Sequence, residues 1–91
     1  MVQMSHDFQG LKAVITGAGS GIGLEVATQL ANQGAEVVGL DLQEGALGGI
    51  GTFISCDISS EESVRQATET IATLWGNTCD IVINNAGIGS I

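Results

Sequence analysis

TGAGSGIG, Thr16 to Gly23, joins an apolar run rich in branched residues, KAVIT (12–16), to a segment with helical periodicity, IGLEVATQLANQ (22–33). Four glycines in seven residues are costly to order, because glycine loses more backbone freedom on folding than any other residue. A strand that runs through such a turn into a helix start builds an anion site from main chain alone. The first helical N–H groups lack partners and carry a partial positive charge of roughly half a unit. Glycines let the backbone approach a pyrophosphate with no Cβ in the way. The hydroxyls of Thr16 and Ser20 add local bonds that hold the turn. The same turn could also be a tight connection with no ligand, so its meaning depends on what surrounds it.

Composition narrows the partners. The chain has 91 residues, a hydrophobic fraction of 44%, no proline and a formal charge of -8. That describes one ordered, globular domain of residues 1–91, with Met1–Gly10 expected as a flexible lead-in. Aromatics are only 3%, so Val, Ile, Leu and Ala must fill the core. Lys12 and Arg65 are the only Lys and Arg residues. Nucleic acid and anionic membrane are therefore excluded as partners, since both need clustered basic groups. A phosphate-bearing ligand must be held mainly by something other than side-chain charge, and backbone amides meet that condition. No apolar run approaches the roughly 18 residues of a transmembrane helix. MVQMSHDFQG (1–10) lacks the features of a signal peptide, so a cytoplasmic protein with reduced thiols is expected.

The periodicity alternates along the chain. Ile22, Val26 and Leu30 recur at four-residue intervals with Ala27 and Ala31 alongside, an amphipathic helix stopped by Gly34. EVVGLD (36–41) reads as a second strand and TFISC (52–56) as a third. QEGALGGIG (43–51) between them predicts a loop or a single turn. Ser59 and Glu62 form an S-x-x-E capping box before a second helix, with Val64, Ala67, Ile71, Leu74 and Trp75 on its apolar face and Gly76 as its stop. DIVIN (80–84) is the fourth strand. Such alternation predicts an α/β fold with a parallel sheet and right-handed crossovers.

Three further features fall at the carboxyl ends of these strands, where open α/β sheets bind ligands. Asp41 ends the second strand, about 20 residues beyond the turn, where a carboxylate can accept bonds from an adenosine ribose. Asp57 follows the third strand, and is either a ligand contact or the start of the next helix cap. NNAG (84–87) follows the fourth, where the asparagines either tie loops together or touch ligand.

Together these motifs resemble the short-chain dehydrogenase/reductase family. T-G-x-x-x-G-I-G at Thr16–Gly23, the acidic Asp41, the pair Asp57–Ile58, and N-N-A-G at Asn84–Gly87 stand in the family's order, from about Lys12 onward. The resemblance implies a Rossmann-like, doubly wound fold of which this chain is a truncated half, with its four strands in the order 3-2-1-4 and two main helices. It also implies roles. Gly17, Ser20, Gly21, Ile22 and Gly23 would hold the pyrophosphate and nearby ribose. Asp41 would bind both ribose hydroxyls, favouring NAD over NADP because a 2′-phosphate would meet a carboxylate. Neither Ser20 nor Leu42 is the basic residue that NADP would call for. Asp57 and Ile58 would line the adenine pocket. Asn85, Ala86 and Gly87 would lie along the cofactor, and Asn84 would brace the sheet.

One departure accompanies the match. The family acts through a serine, a tyrosine and a lysine downstream of N-N-A-G. These 91 residues contain no tyrosine, and their one lysine opens the first strand. The expected function is thus the NAD-binding front half of an oxidoreductase, with no catalytic residue of its own and inactive alone. The alternative is a non-catalytic binding or self-assembly module. The implied order leaves DIVIN as an exposed edge, which predicts self-association through that strand or pairing with a missing C-terminal half. It also separates Cys56 from Cys79 by about three strand spacings, roughly 14 Å, too far for a disulfide. His6 is expected to be solvated, and Trp75 to be core.

Overall fold

The computed structural model describes residues 8–85. The elements run β1 (Lys12–Thr16), α1 (Gly21–Asn32), β2 (Glu36–Asp41), β3 (Thr52–Ser55), α2 (Glu61–Trp75) and β4 (Ile81–Asn84). All strand pairs are parallel, in the order β3-β2-β1-β4. This is the order expected. Val14 lies between Val38 and Val82 in register, and Thr16 between Leu40 and Asn84.

Successive residues of a strand face opposite sides of a sheet, and two cores follow. Ile15 and Val37 pack with Ala18, Ala27, Ala35 and Leu47 on one side. Val14, Val38 and Leu40 pack with Cys56 and Ala67 on the other. Ile15, Val38 and Leu47 are the largest fully buried side chains. Each such burial contributes about 1.5–3 kcal/mol, a large share for so small a domain.

Both helices differ in detail from the periodic reading. In α1 the buried positions are Gly23 and Ala27, while Ile22 is 66% exposed. The small residues face the sheet because α1 starts directly on the glycine turn, too close for a large side chain. In α2 only Ala67 is buried, with Ile71 and Trp75 partly so, while Val64 and Leu74 are exposed. Trp75 packs, partly buried, against the second core, and its indole N–H donates to Glu36 Oε1 at 2.9 Å. The capping box is also shifted. The N-cap of α2 is Ser60, whose hydroxyl accepts from Ser63 N–H at 3.2 Å. Ser59 instead turns back, its N–H and hydroxyl both donating to Asp57 Oδ1. Gly76 ends α2 at φ 68°, a conformation glycine alone adopts easily.

At the amino end, Phe8 packs against the first core, and its N–H bonds Gln33 O. His6, like the rest of residues 1–7, lies outside the described residues. Cys56 is buried and Cys79 exposed, both as thiols. Among the described residues no helix is long and apolar enough to cross a membrane.

Candidate functional site

The glycine turn is built by the sheet beneath it. At the end of β1 the chain enters Gly17 with φ 67°. The N–H groups of Gly17 and Ala18 then both reach Leu40 O, at 2.7 and 3.4 Å. Ser20 is the N-cap of α1 in an extended conformation, and its carbonyl accepts the first helical bond from Leu24 N–H. The N–H groups of Gly21, Ile22 and Gly23 precede that bond, so the helix itself offers them no acceptor. The Ser20 hydroxyl makes no capping bond, contrary to the sequence expectation, and the first turn of α1 contains no acidic residue. Nothing in the helix's own first turn therefore neutralises this positive end. The Thr16 hydroxyl, expected to hold the turn locally, instead donates to Asn84 Oδ1 at 3.1 Å and ties β1 to β4. This is the bracing expected of Asn84.

Gly23 sets how closely α1 approaches the turn. A Cβ placed there would collide with the Gly17 carbonyl and stand 2.6 Å from Asn85 Nδ2. Asn85 Nδ2 in turn donates to Gly17 O at 3.3 Å. The end of β4 is thereby fastened to the end of β1 beside the helix start.

Asp41 faces the turn from the end of β2. Its Oδ2 accepts from Gly19 N–H at 2.9 Å, and its Oδ1 from Leu42 N–H at 2.7 Å. The carboxylate remains partly exposed. It opens on a cleft of about 330 Å³ lined by Gly19, Ser20, Asp41, Leu42, Gln43 and Gly45. Each carboxylate oxygen has more than one acceptor site, so two neighbouring hydroxyls can still be received.

The structure thus brings together Gly17, Ser20, Gly21, Ile22, Gly23, Asp41 and Asn85. Asp57 and Ile58 follow β3 at the same edge of the sheet, and both are exposed. The Asp57 carboxyl is held below its ordinary value, first by the Ser59 hydroxyl and then by the Ser59 N–H. Ala86 and Gly87 lie outside the described residues. Neither fixed cation serves the turn. Arg65 bonds Glu62 and Glu69 along α2, and Lys12 opens β1 at the opposite edge of the sheet.

Sequence reading missed the residues that line the cleft from above, Gln43 and Gly45, and the buried Leu47 beneath them. Their segment has no periodicity. A leucine among glycines carries no sign of which way it points.

A parallel sheet in this order, with a glycine turn feeding α1 at its carboxyl edge, defines a Rossmann-like α/β fold. The sequence agrees at family level. Residues 11–91 match the family model for short chain dehydrogenase, and the chain belongs to that family. It is 40% identical over 85 residues to a mitochondrial borneol dehydrogenase of Lavandula x intermedia, covering 88% of this chain and 32% of that protein. It is 39% identical over 87 residues to tropinone reductase-like 1 of Erythroxylum coca, again covering 88% and 32%. The crystal structure of ribose-5-phosphate isomerase from Brucella melitensis 16M superposes with a TM-score of 0.82 at 33% identity, over 90% of this chain and 34% of that one. The chain therefore spans about a third of the length of these relatives.

Proposed function

We propose that this chain is the dinucleotide-binding front portion of an NAD-dependent short-chain oxidoreductase. The observation that carries the reading is the convergence of the Asp41 carboxylate on the Gly19 N–H, beside the uncapped start of α1. A diphosphate is received by main-chain amides at Gly21–Gly23, and a sugar diol by the carboxylate next to them. The residues fit such a group. Gly21, where an added Cβ would meet no protein atom within 4 Å, leaves open space at the helix start, while Gly23 lets α1 lie against the Gly17 carbonyl beside it. Amides supply what a chain of net charge -8 lacks in side chains.

Bound NAD supplies a hydride acceptor. The chain's own part is to bind and orient. Ser20 to Gly23 fix the diphosphate at the helix start. Asp41 selects the ribose, and its negative charge disfavours a 2′-phosphate in the same place. Asp57 and Ile58 would hold the adenine end, and Asn85 would contact the rest of the cofactor. These 91 residues offer no tyrosine to move a proton at a carbonyl oxygen, and Lys12 stands at the far edge of the sheet. Alone they bind the cofactor without turning it over.

A second reading, a self-assembling module, is favoured by one observation: Val82 on the edge strand β4 is 69% exposed. Titration calorimetry of the 91-residue chain with NAD, ADP-ribose and NADP separates the two. Heat from NAD and ADP-ribose, with weaker binding of NADP, supports cofactor binding. No heat from any of the three overturns it.

A further inference from the structure

The connection from β2 to β3 is not a helix but a chain of turns, and it lies on the glycine turn. Ala46 N–H donates to Gly19 O at 3.1 Å, while Gly19 N–H donates to Asp41 Oδ2 at 2.9 Å. Both polar groups of one glycine are thus held from one side, by the end of β2 and by the connection that follows it. The fit is close. A Cβ on Gly19 would stand 2.6 Å from Gln43 O, and a Cβ on Gly45 (φ 56°) would collide with Gly19 O.

One fully buried side chain, Leu47, anchors the connection, with Ile50 partly buried against the same core. From Leu42 to Gly49 every residue is exposed except Leu47, which is fully buried. Leu47 packs in the first core with Ile15, Ala18 and Val37. It occupies the space left by Gly39 in β2, where a Cβ would collide with Leu47 Cδ2 and stand 2.8 Å from Ala18 Cβ. Its backbone closes the turns on either side, with Leu47 N–H to Glu44 O and Ile50 N–H to Leu47 O.

We infer that Leu47 is a positioning residue: by seating in the Gly39 gap it clamps residues 43–46 onto Gly19 and so holds the Asp41 carboxylate in register with the glycine turn. Its consequence for ligand rests on the dinucleotide reading above, but the clamp itself does not.

Amide hydrogen exchange measured by NMR on the 91-residue chain tests it, with L47A, L47V, L47M and G45A beside the parent. G45A strains the connection directly against Gly19 and serves as the reference for losing that contact. The milder truncation L47V, expected to speed Gly19 exchange in the same direction, decides the role of Leu47 even where L47A fails to fold. The expected result is exchange at Gly19 and Ala46 faster by about tenfold or more in L47A and G45A, relative to Val14 and Val38 in the sheet. L47M restores the parent pattern. Acceleration spread evenly over sheet and turn, or no change at Gly19, overturns the clamp. Calorimetry on the same proteins adds the ligand arm, where L47A lowers the ratio of NAD to NADP affinity. A parent chain that binds neither nucleotide defeats the dinucleotide reading, while the exchange pattern still decides the role of Leu47.

Discussion

The N–H of Gly19 and the Oδ2 of Asp41 meet at 2.9 Å across 22 residues of chain. That bond joins the first strand-to-helix turn to the end of the second strand, and gives the proposed site its two halves: amides for a diphosphate, a carboxylate for a sugar.

Asp41→Asn tests the second half with little change of shape. The amide oxygen can still accept from Gly19, but the charge is gone and one acceptor becomes a donor. Bonds to charged groups contribute about 1.5–3 kcal/mol each, so NAD binding should weaken by at least about tenfold. Preference for NAD over NADP should shrink at the same time. Calorimetry showing an unchanged preference would remove Asp41 from the site.

Gly23→Ala tests the first half. The added methyl meets the Gly17 carbonyl and Asn85 Nδ2, so α1 must move off the turn. Overpacking of this kind costs about 1–3 kcal/mol. A lowered Tm together with lost dinucleotide binding is expected. A variant that melts and binds like the parent would mean α1 does not approach the turn as closely as described.

Ser60 and Ser59 should behave differently despite being neighbours. Ser60→Ala removes the N-cap of α2 and should cost about 1 kcal/mol in urea unfolding. Ser59→Ala leaves that cap in place and should cost less. Equal losses would return the capping role to Ser59.

Ser59→Ala should instead register in the titration of Asp57. In the parent, Ser59 donors favour the ionised carboxyl, so the folded protein binds its proton less readily than the unfolded chain does. The resulting stability is fully present above the ordinary value of 3.8 and is lost as pH falls through the lower folded value. Carboxyl NMR should show the Asp57 midpoint rising toward ordinary in Ser59→Ala. The stabilities of parent and variant should converge in acid. A midpoint that does not move would rule out the Ser59 hydroxyl as its main cause, since the N–H at position 59 stays in the variant.

The outer edge of β4 should pair with a second copy when the purified chain is concentrated. Its outward backbone groups have no neighbouring strand among the described residues, and Val82 adds exposed apolar surface. Sedimentation velocity should show a dimer in the parent and a monomer for Val82→Lys. A parent that stays monomeric at every concentration would leave β4 without that role.

Much of this was legible in the residues themselves. Branched runs at 12–16 and 36–41 read as buried strands, and the glycines at 17, 21 and 23 announced a turn where main chain and helix come close. Asp41 could be picked out because strand length fixes where a strand-end carboxylate lies. Local chemistry determines these features, so a linear reading reaches them. The face of α1, the identity of the α2 cap and the seat of Leu47 were decided elsewhere. Ile22 is as apolar as Leu47, yet one is exposed and the other wholly buried. The difference is set by which surfaces the sheet brings opposite them: open solvent at the helix start, and the gap over Gly39 beneath the β2–β3 turns. Burial is a property of pairs of surfaces, and only the tertiary structure brings those pairs together.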